Sequence, residues 1–552
     1  CQWYLLKIRY YGNDGANSGT AIRRLGMTKR PMGAVLAAPM VDPSSPQPLY
    51  QQVYQRIRGL ILEGKLPRGA RLPSSRTLAD DLSLSRNTIL VAIDQLVAEG
   101  YVESRLGDGT YVASSIAEDV GTIARRETKP KPARPVKGRS LSNRGKAISE
   151  TPIGRDATTP RPFATGIPAV DQFPVDLWHR LLSRRSRRVS RENLCYGDPA
   201  GYRPLREAIA TYLAGARGVQ CEPDQIIINT SSQQALDIAV RVLTDPGDAV
   251  WLEEPGYLGA RGAFTAAGLS LVPVPVDDEG LQVEAGIELA PDARLAYVTP
   301  SRQYPLGSTL SLARRFALLD WARSAGAWII EDDYDSEYRY KGRPLAALQG
   351  LDNTARVIYV GTFTKVLFPS LRLGYLVAPP DLIEPLIAAR SFVDRHSTTL
   401  TQAVVADFIN GGHFGSHIRR MRRLYRERQA MLVKEVGRRL AGRLSVQPAE
   451  AGMHLIGELQ EPGSDRRLAR PKAATMLTDA RAGSDHSHIS RSDAELDVWV
   501  SKKAAELGVE VAPLSRYYLG PRKRSGLVMG YACLDERDIK KGVKALAQAL
   551  AF

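Results

Sequence analysis

Lys365 stands in Gly361-Thr-Phe-Thr-Lys365-Val-Leu-Phe-Pro-Ser-Leu-Arg372, where a charged amine sits among Thr, Phe, Val and Leu. Apolar surroundings strip hydration from an ammonium and depress its pKa, and the neutral amine is then a nucleophile for a carbonyl. Thr362, Thr364 and Arg372 flank it with hydroxyls and a guanidinium, natural partners for phosphate oxygens. Upstream, Trp328-Ile-Ile-Glu-Asp332-Asp-Tyr334-Asp-Ser-Glu reads as a buried strand ending in a burst of carboxylates. An imine-forming lysine, phosphate donors and an acid able to pair with a pyridinium nitrogen are the parts of a pyridoxal 5'-phosphate (PLP) site. A surface lysine that snorkels to solvent has no need of the other two.

The elements that must carry these groups follow from the apolar pattern. Strand-like runs at 225–228, 249–252, 271–276, 295–298, 328–331, 357–360 and 373–378 alternate with helical stretches. That rhythm predicts βαβ units and a mainly parallel sheet in an α/β domain over 163–552. Residues 461–492 break it, with Arg, Asp, Ser and His but little periodicity, and read as an atypical insertion. Residues 115–162 hold Lys-Pro-Lys-Pro-Ala-Arg-Pro and few aromatics, the composition of a basic, partly extended linker.

Residues 46–114 read differently. Val53, Ile57, Leu60 and Ile61 keep helical spacing, a short helix is expected over 75–82, and a second runs from Arg86 to Glu99. Strand-like residues then flank Leu106-Gly107-Asp108-Gly109, an Asp-Gly hairpin signal. Helix, turn, helix and Gly-tipped hairpin describe a winged helix-turn-helix. Its second helix would place Ser85, Arg86, Asn87 and Thr88 at base edges and phosphates of double-stranded DNA. A net charge of +16 agrees with an anionic partner without naming it.

At 552 residues, 43% apolar and 24% charged, the chain has the composition of a folded protein of two or more domains. The four cysteines lack CxxC spacing, so neither a zinc site nor a disulfide framework is expected, no metal is assigned, and a reducing cytoplasm fits. No apolar run is long enough to predict a membrane span. Residues 1–45 are irregular and lack the apolar core of a signal peptide, and Met27, Met32 or Met40 is expected to lie closer to the true start.

These words together resemble the MocR-type (GabR-like) bacterial regulators, in which a winged helix-turn-helix of the GntR class is fused to a type I aminotransferase-like domain with a smaller C-terminal α+β subdomain. The resemblance implies that Leu72-Pro-Ser-Ser-Arg76, Ser85-Arg-Asn-Thr88 and Gly107-Asp-Gly109-Thr110 carry the DNA contacts, Arg76 gripping phosphate. It implies that Lys365 forms the Schiff base with PLP, Asp332 pairs with the pyridine nitrogen and Tyr334 with the ring hydroxyl. Asp333 and Asp335 stand as rivals; Asp332 is preferred because it closely follows the apolar strand. Tyr257, in Glu254-Pro-Gly-Tyr257, would stack on the ring, and Ser232 and Gln233, opening a helix, would help cradle the phosphate with Thr362, Thr364 and Arg372. Arg516 is the candidate clamp for an effector carboxylate. Tyr196-Gly-Asp-Pro-Ala-Gly201-Tyr-Arg203 resembles a segment near the active-site mouth of the family's dimer, or is a plain helix-entry turn. Two residues depart from the family: Ser231 stands where relatives usually carry Gly, and Arg302 where they usually carry His.

The function implied is a homodimeric transcriptional regulator that senses an amino-group or carboxylate-bearing effector, or PLP itself, through the internal aldimine at Lys365. The alternative is a working aminotransferase of the 2-aminoadipate type with an accessory DNA reader.

Overall fold

The computed structural model describes residues 41–105, 107–114, 140–151, 161–189, 191, 194–342, 345–460 and 493–551. Residues 1–40 of the irregular start, most of the expected linker and the expected insertion at 461–492 lie outside the described residues. The chain divides into two compact units, residues 1–139 and 140–552.

In the first unit, helix α1 (Leu49–Leu62) buries Val53, Ile57, Leu60 and Ile61, the residues whose spacing predicted it. Helix α2 (Ser75–Leu82) and helix α3 (Arg86–Ala98) are separated by a turn in which Ser83 takes the left-handed conformation, φ 53°. Each helix starts on a serine cap. Ser74 Oγ accepts from the Thr77 amide at 3.1 Å, and Ser85 Oγ from the Thr88 amide at 3.1 Å. Strands β1 (Val102–Arg105) and β2 (Gly109–Val112) form the antiparallel wing, with Gly107 and Gly109 at positive φ around its tip. Ile89, Ala92, Ile93 and Leu96 of α3 close the core against α1.

The second unit is built on an eight-stranded sheet. Its strands are β3 (Ile226–Asn229), β4 (Ala249–Glu254), β5 (Ser270–Asp277), β6 (Gly280–Leu281), β7 (Leu295–Val298), β8 (Trp328–Asp333), β9 (Val357–Thr362) and β10 (Gly374–Val377), in the order β3-β10-β9-β8-β7-β4-β5-β6. The pairs among β9, β8, β7, β4 and β5 are parallel. Strand β10, inserted between β3 and β9, runs antiparallel to both. Both faces are covered: Ile226 and Ile228 pack into one core and Ile227 into another. Strands buried on both sides therefore read as unbroken apolar runs.

A smaller C-terminal subdomain carries an antiparallel sheet of β11 (Leu444–Val446), β12 (His454–Leu459), β13 (Ala512–Pro513) and β14 (Gly526–Gly530), in the order β11-β12-β14-β13. The helices His413–Arg439 and Glu536–Ala549 pack around its core. One feature departs from the expected partly extended linker. Asn143–Glu150 is a helix, capped by Ser142, and it packs within the second unit against the helix Leu258–Ala267. No helix among the described residues is long and apolar enough to cross a membrane.

Candidate cofactor site and DNA-reading head

Ligand sites of open α/β sheets form beyond the carboxyl ends of the parallel strands, and the chain brings its chemical residues to that edge. Asp332 stands one residue before the end of β8, Thr362 ends β9 and Lys365 follows it, while Tyr257 follows β4. Ser231 and Ser232 follow β3 and open the helix Ser232–Leu243. Because β10 is antiparallel, Arg372, just before it, enters from the same edge. These residues surround a cavity of about 300 Å³, which Gln233, Tyr334 and Thr364 also line.

Alternation along β8 sorts its acids. Asp333 turns away from the cavity and accepts from Arg217 Nε at 2.7 Å, the Tyr359 hydroxyl at 2.6 Å and Ser336 Oγ at 2.8 Å. Asp335 pairs with Arg302 Nη1 at 3.3 Å. Glu331 accepts from the amides of Leu348 and Gln349. Asp332 alone of the run lines the cavity. Its Oδ2 accepts from the Tyr297 hydroxyl at 2.8 Å, and its Oδ1 is buried with no hydrogen-bond partner. Burial pushes this carboxyl up to about 7, against the Tyr297 hydrogen bond; the neighbouring Asp333 charge adds to the rise and Lys365 opposes it.

A second buried polar atom is left over at the opposite end of the donor set. Thr362 Oγ1 accepts from the Thr364 amide at 3.1 Å, but Thr364 Oγ1 is buried without a partner. An unsatisfied buried carboxylate oxygen and hydroxyl each cost free energy that a ligand would recover. Gly166, at φ 73°, faces the lysine, and a Cβ there would stand 2.7 Å from Lys365 Nζ. Arg372 holds a left-handed backbone, φ 49°, strain of the kind found at ligand clamps. The donor set fits PLP: an amine for its aldehyde, an acid for its ring N–H, and hydroxyls, a guanidinium and a helix N-terminus for its phosphate.

Tyr257 is the N-terminal cap residue of the helix Leu258–Ala267 and meets Tyr304 edge-on at 5.8 Å. The Tyr334 hydroxyl lies 3.4 Å from Arg302 Nη1, which donates to it. Arg516 lies on the short 3-10 turn Leu514–Tyr517 and is not among the residues that line the cavity, so its position lends no weight to the expected carboxylate clamp. Tyr297, Gly166 and His454 line the cavity although the sequence did not single them out. Tyr297 was hidden inside a four-residue apolar strand, and His454 is held well below its usual pKa by burial and then by the Arg302 charge.

In the first unit, Arg76, Ser85, Arg86 and Asn87 are exposed at the starts of α2 and α3, and Thr88 is half-buried. Arg86 Nε donates to Ser75 Oγ at 3.3 Å, which ties the two helix starts together. Ser85 and Thr88 share a 2.8 Å hydroxyl contact besides the cap, so both serve the helix start first. Gly107 and Gly109 are exposed on the wing and Thr110 is half-buried. The Arg71 guanidinium lies along the wing: a Cβ on Gly109 would stand 2.9 Å from its Nε. Arg71 adds a cation that the motif words did not mark.

Comparison with known proteins agrees with both units. The family "Aminotransferase class I and II" matches residues 163–546, and "Bacterial regulatory proteins, gntR family" matches residues 49–112. The probable rhizopine catabolism regulatory protein MocR of Rhizobium meliloti is 40% identical over 92% of this chain and 95% of its own length. The chain belongs to the MocR-type regulators. The pyridoxine biosynthesis transcriptional regulator PdxR of Corynebacterium glutamicum is 29% identical over 93% of this chain and 98% of its own length. Among solved structures, the α-aminoadipate aminotransferase LysN of Thermus thermophilus, complexed with N-(5'-phosphopyridoxyl)-L-leucine, shares 28% identity at a TM-score of 0.62. That match covers 74% of this chain and 96% of LysN.

The two departures from the MocR-type pattern now have local explanations. Ser231 has φ −175°, extended backbone open to any residue, and its Oγ caps the following helix by accepting from the Gln234 amide at 3.3 Å. Serine there brings a cap and no strain. Arg302 is buried between the His454 carbonyl, to which Nη2 donates at 2.7 Å, and Asp335. Gly452 leaves the space, since a Cβ there would collide with the guanidinium. Arg302 thus ties the loop after β7 to the C-terminal subdomain.

Proposed function

We propose that the second unit binds PLP and that its occupancy, or an amine ligand meeting it there, sets how a homodimer grips operator DNA in the bacterial cytoplasm. PLP, when bound, supplies an electrophilic aldehyde and an electron-withdrawing ring. Lys365 presents its amine to that aldehyde, and Asp332 uses the orphaned Oδ1 to accept the ring N–H. Tyr334 would hydrogen-bond the ring hydroxyl and Tyr257 would stack on the ring. Ser232, Gln233, Thr362, Thr364 and Arg372 hold the phosphate. The observation that carries this reading is the pair of unpartnered buried atoms, Asp332 Oδ1 and Thr364 Oγ1, on one cavity with Lys365.

Arg76, Arg86 and Asn87 supply phosphate and base contacts from the first unit. A ligand can control such a protein only by binding two arrangements of it unequally. The likeness to LysN favours a second reading, a working 2-aminoadipate-type aminotransferase, with Lys365 moving the proton and Asp332 holding the ring charge.

The test uses the full chain. Purified with PLP it is expected to absorb in the visible, and Lys365→Ala to lose that band. An oligonucleotide selected from a random pool is expected to bind with an affinity that PLP or added amines change. An affinity indifferent to both, or sustained transamination at ~1 per second or faster, would overturn the sensor reading in favour of the enzyme.

A further inference from the structure

The helix Asn143–Glu150 lies in the first described stretch of chain after residues 115–139, which connect it to the DNA-reading unit. It has eight residues, one of them Gly145, and buries no side chain. A helix that short is marginal in water, so its order depends on what it packs against. That surface is the helix Leu258–Ala267. There is room at Gly262, where a Cβ would meet only Thr151 Cγ2, at 4.0 Å.

The supporting helix begins at the candidate cofactor site. Tyr257 caps it and lines the cavity. Gln233, another lining residue, donates from Nε2 to the Gly259 carbonyl at 2.8 Å. A side chain at Gly259 would collide with the Tyr257 ring and with Gln233. The first turn of this helix is therefore clasped by two residues of the cavity wall, and Gly262 on its next turn faces Thr151, the C-terminal cap of the linker helix.

We propose that the helix Leu258–Ala267 is a docking surface for the linker helix, and that filling the cavity strengthens the docking by fixing Tyr257 and Gln233. This rests on the cofactor reading above and adds the route from the cavity to the chain segment that leads to the DNA head. Weak docking suits the task, because an equilibrium near balance shifts with a small difference in affinity.

Amide exchange of residues 143–151 in the full chain is expected to slow about fivefold or more on adding PLP, the low end of ordinary coupling between sites. Unchanged or faster exchange would overturn the proposal. Gly262→Leu puts bulk under Thr151 in a helix that favours Leu over Gly. It is expected to keep the visible PLP band, lose the slowing at 143–151 and lose the response of DNA affinity to PLP. Gly262→Ala, which meets Thr151 at ordinary contact distance, is expected to retain all three. A Gly262→Leu protein whose DNA affinity still follows PLP as in the parent would sink the docking route. A parent chain that takes up PLP while its DNA affinity ignores it defeats the proposed function instead, and the exchange measurement still decides the docking.

Discussion

The two units hold their functional residues in opposite ways. In the DNA-reading head, Arg76, Arg86 and Asn87 stand exposed, and the hydroxyls of Ser74 and Ser85 hold the helix starts on which they are mounted. The proposed contacts and the helix caps fall on different side chains, except that Arg86 also ties the two helix starts through Ser75. In the second unit the acidic run of β8 carries both recognition and structure. Asp333, buried with Arg217, turns from the cavity, while its neighbour Asp332 faces it; each keeps one oxygen unpartnered, and only that of Asp332 lies on the cavity. A single step along the strand separates the two roles. Changes in the head should therefore alter binding and leave the fold alone, whereas changes along β8 should not separate so cleanly.

The largest expected effect breaks the structural member of that pair. Arg217 and Asp333 keep only 4% and 2% of their side-chain surface exposed. Asp333→Ala leaves the guanidinium buried with the Ser301 hydroxyl and the Leu345 carbonyl but without its paired carboxylate. The expected loss is about 3–5 kcal/mol, read as a lower urea midpoint of the cofactor-free chain. A loss within the ordinary range for surface substitutions would show that β8 does not depend on the pair.

Asp332 sharpens the comparison through pH. Its folded carboxyl titrates at about 7, while the unfolded one titrates at ~3.9. Between those values the folded chain holds a proton that the unfolded chain has released. Stability contributed by this group therefore falls as pH rises through the window, by at most ~1.4 kcal/mol per pH unit. Asp335, pushed up to about 6 by burial, and Glu253, pushed up to about 7, slope the same way. The informative quantity is thus the difference between parent and Asp332→Asn. Melting temperatures of the cofactor-free chain from about pH 5 to about pH 8 should fall less steeply in the variant. Equal slopes would mean that the carboxyl ionises as easily in the fold as out of it.

Much of this could be read before any fold was known, and the omissions have physical reasons. Leu295–Val298 matches its apolar run, and β8 and β9 extend theirs by two residues, because parallel interior strands are apolar on both faces. Apolar runs carry no direction, so nothing in 373–378 said that β10 would run against its neighbours. Asp332 was preferred for its place behind the apolar run, and not for the alternation along β8 that turns it to the cavity and Asp333 away. The linker helix was missed because its half-buried positions, Gly145 and Ala147, are small and leave no apolar stripe. That Ser231, standing where relatives usually carry Gly, takes an extended backbone could not be read either, because residue type does not report φ.

The smallest effect on stability, and the cleanest test of the contrast, lies in the head. Arg76 is exposed on the first turn of α2, and its neighbour Ser74 supplies the cap. Arg76→Ala should change unfolding by no more than about 0.5 kcal/mol. If the guanidinium meets phosphate, the variant should bind all sequences more weakly and flatten the dependence of affinity on salt by about one counterion. Ser85→Ala should do the reverse. Loss of the α3 cap costs about 1 kcal/mol and melts the head earlier, while the salt dependence of DNA binding keeps the parent's slope. If Arg76→Ala destabilised the head as much as Ser85→Ala, recognition and structure would be as entangled there as they are along β8.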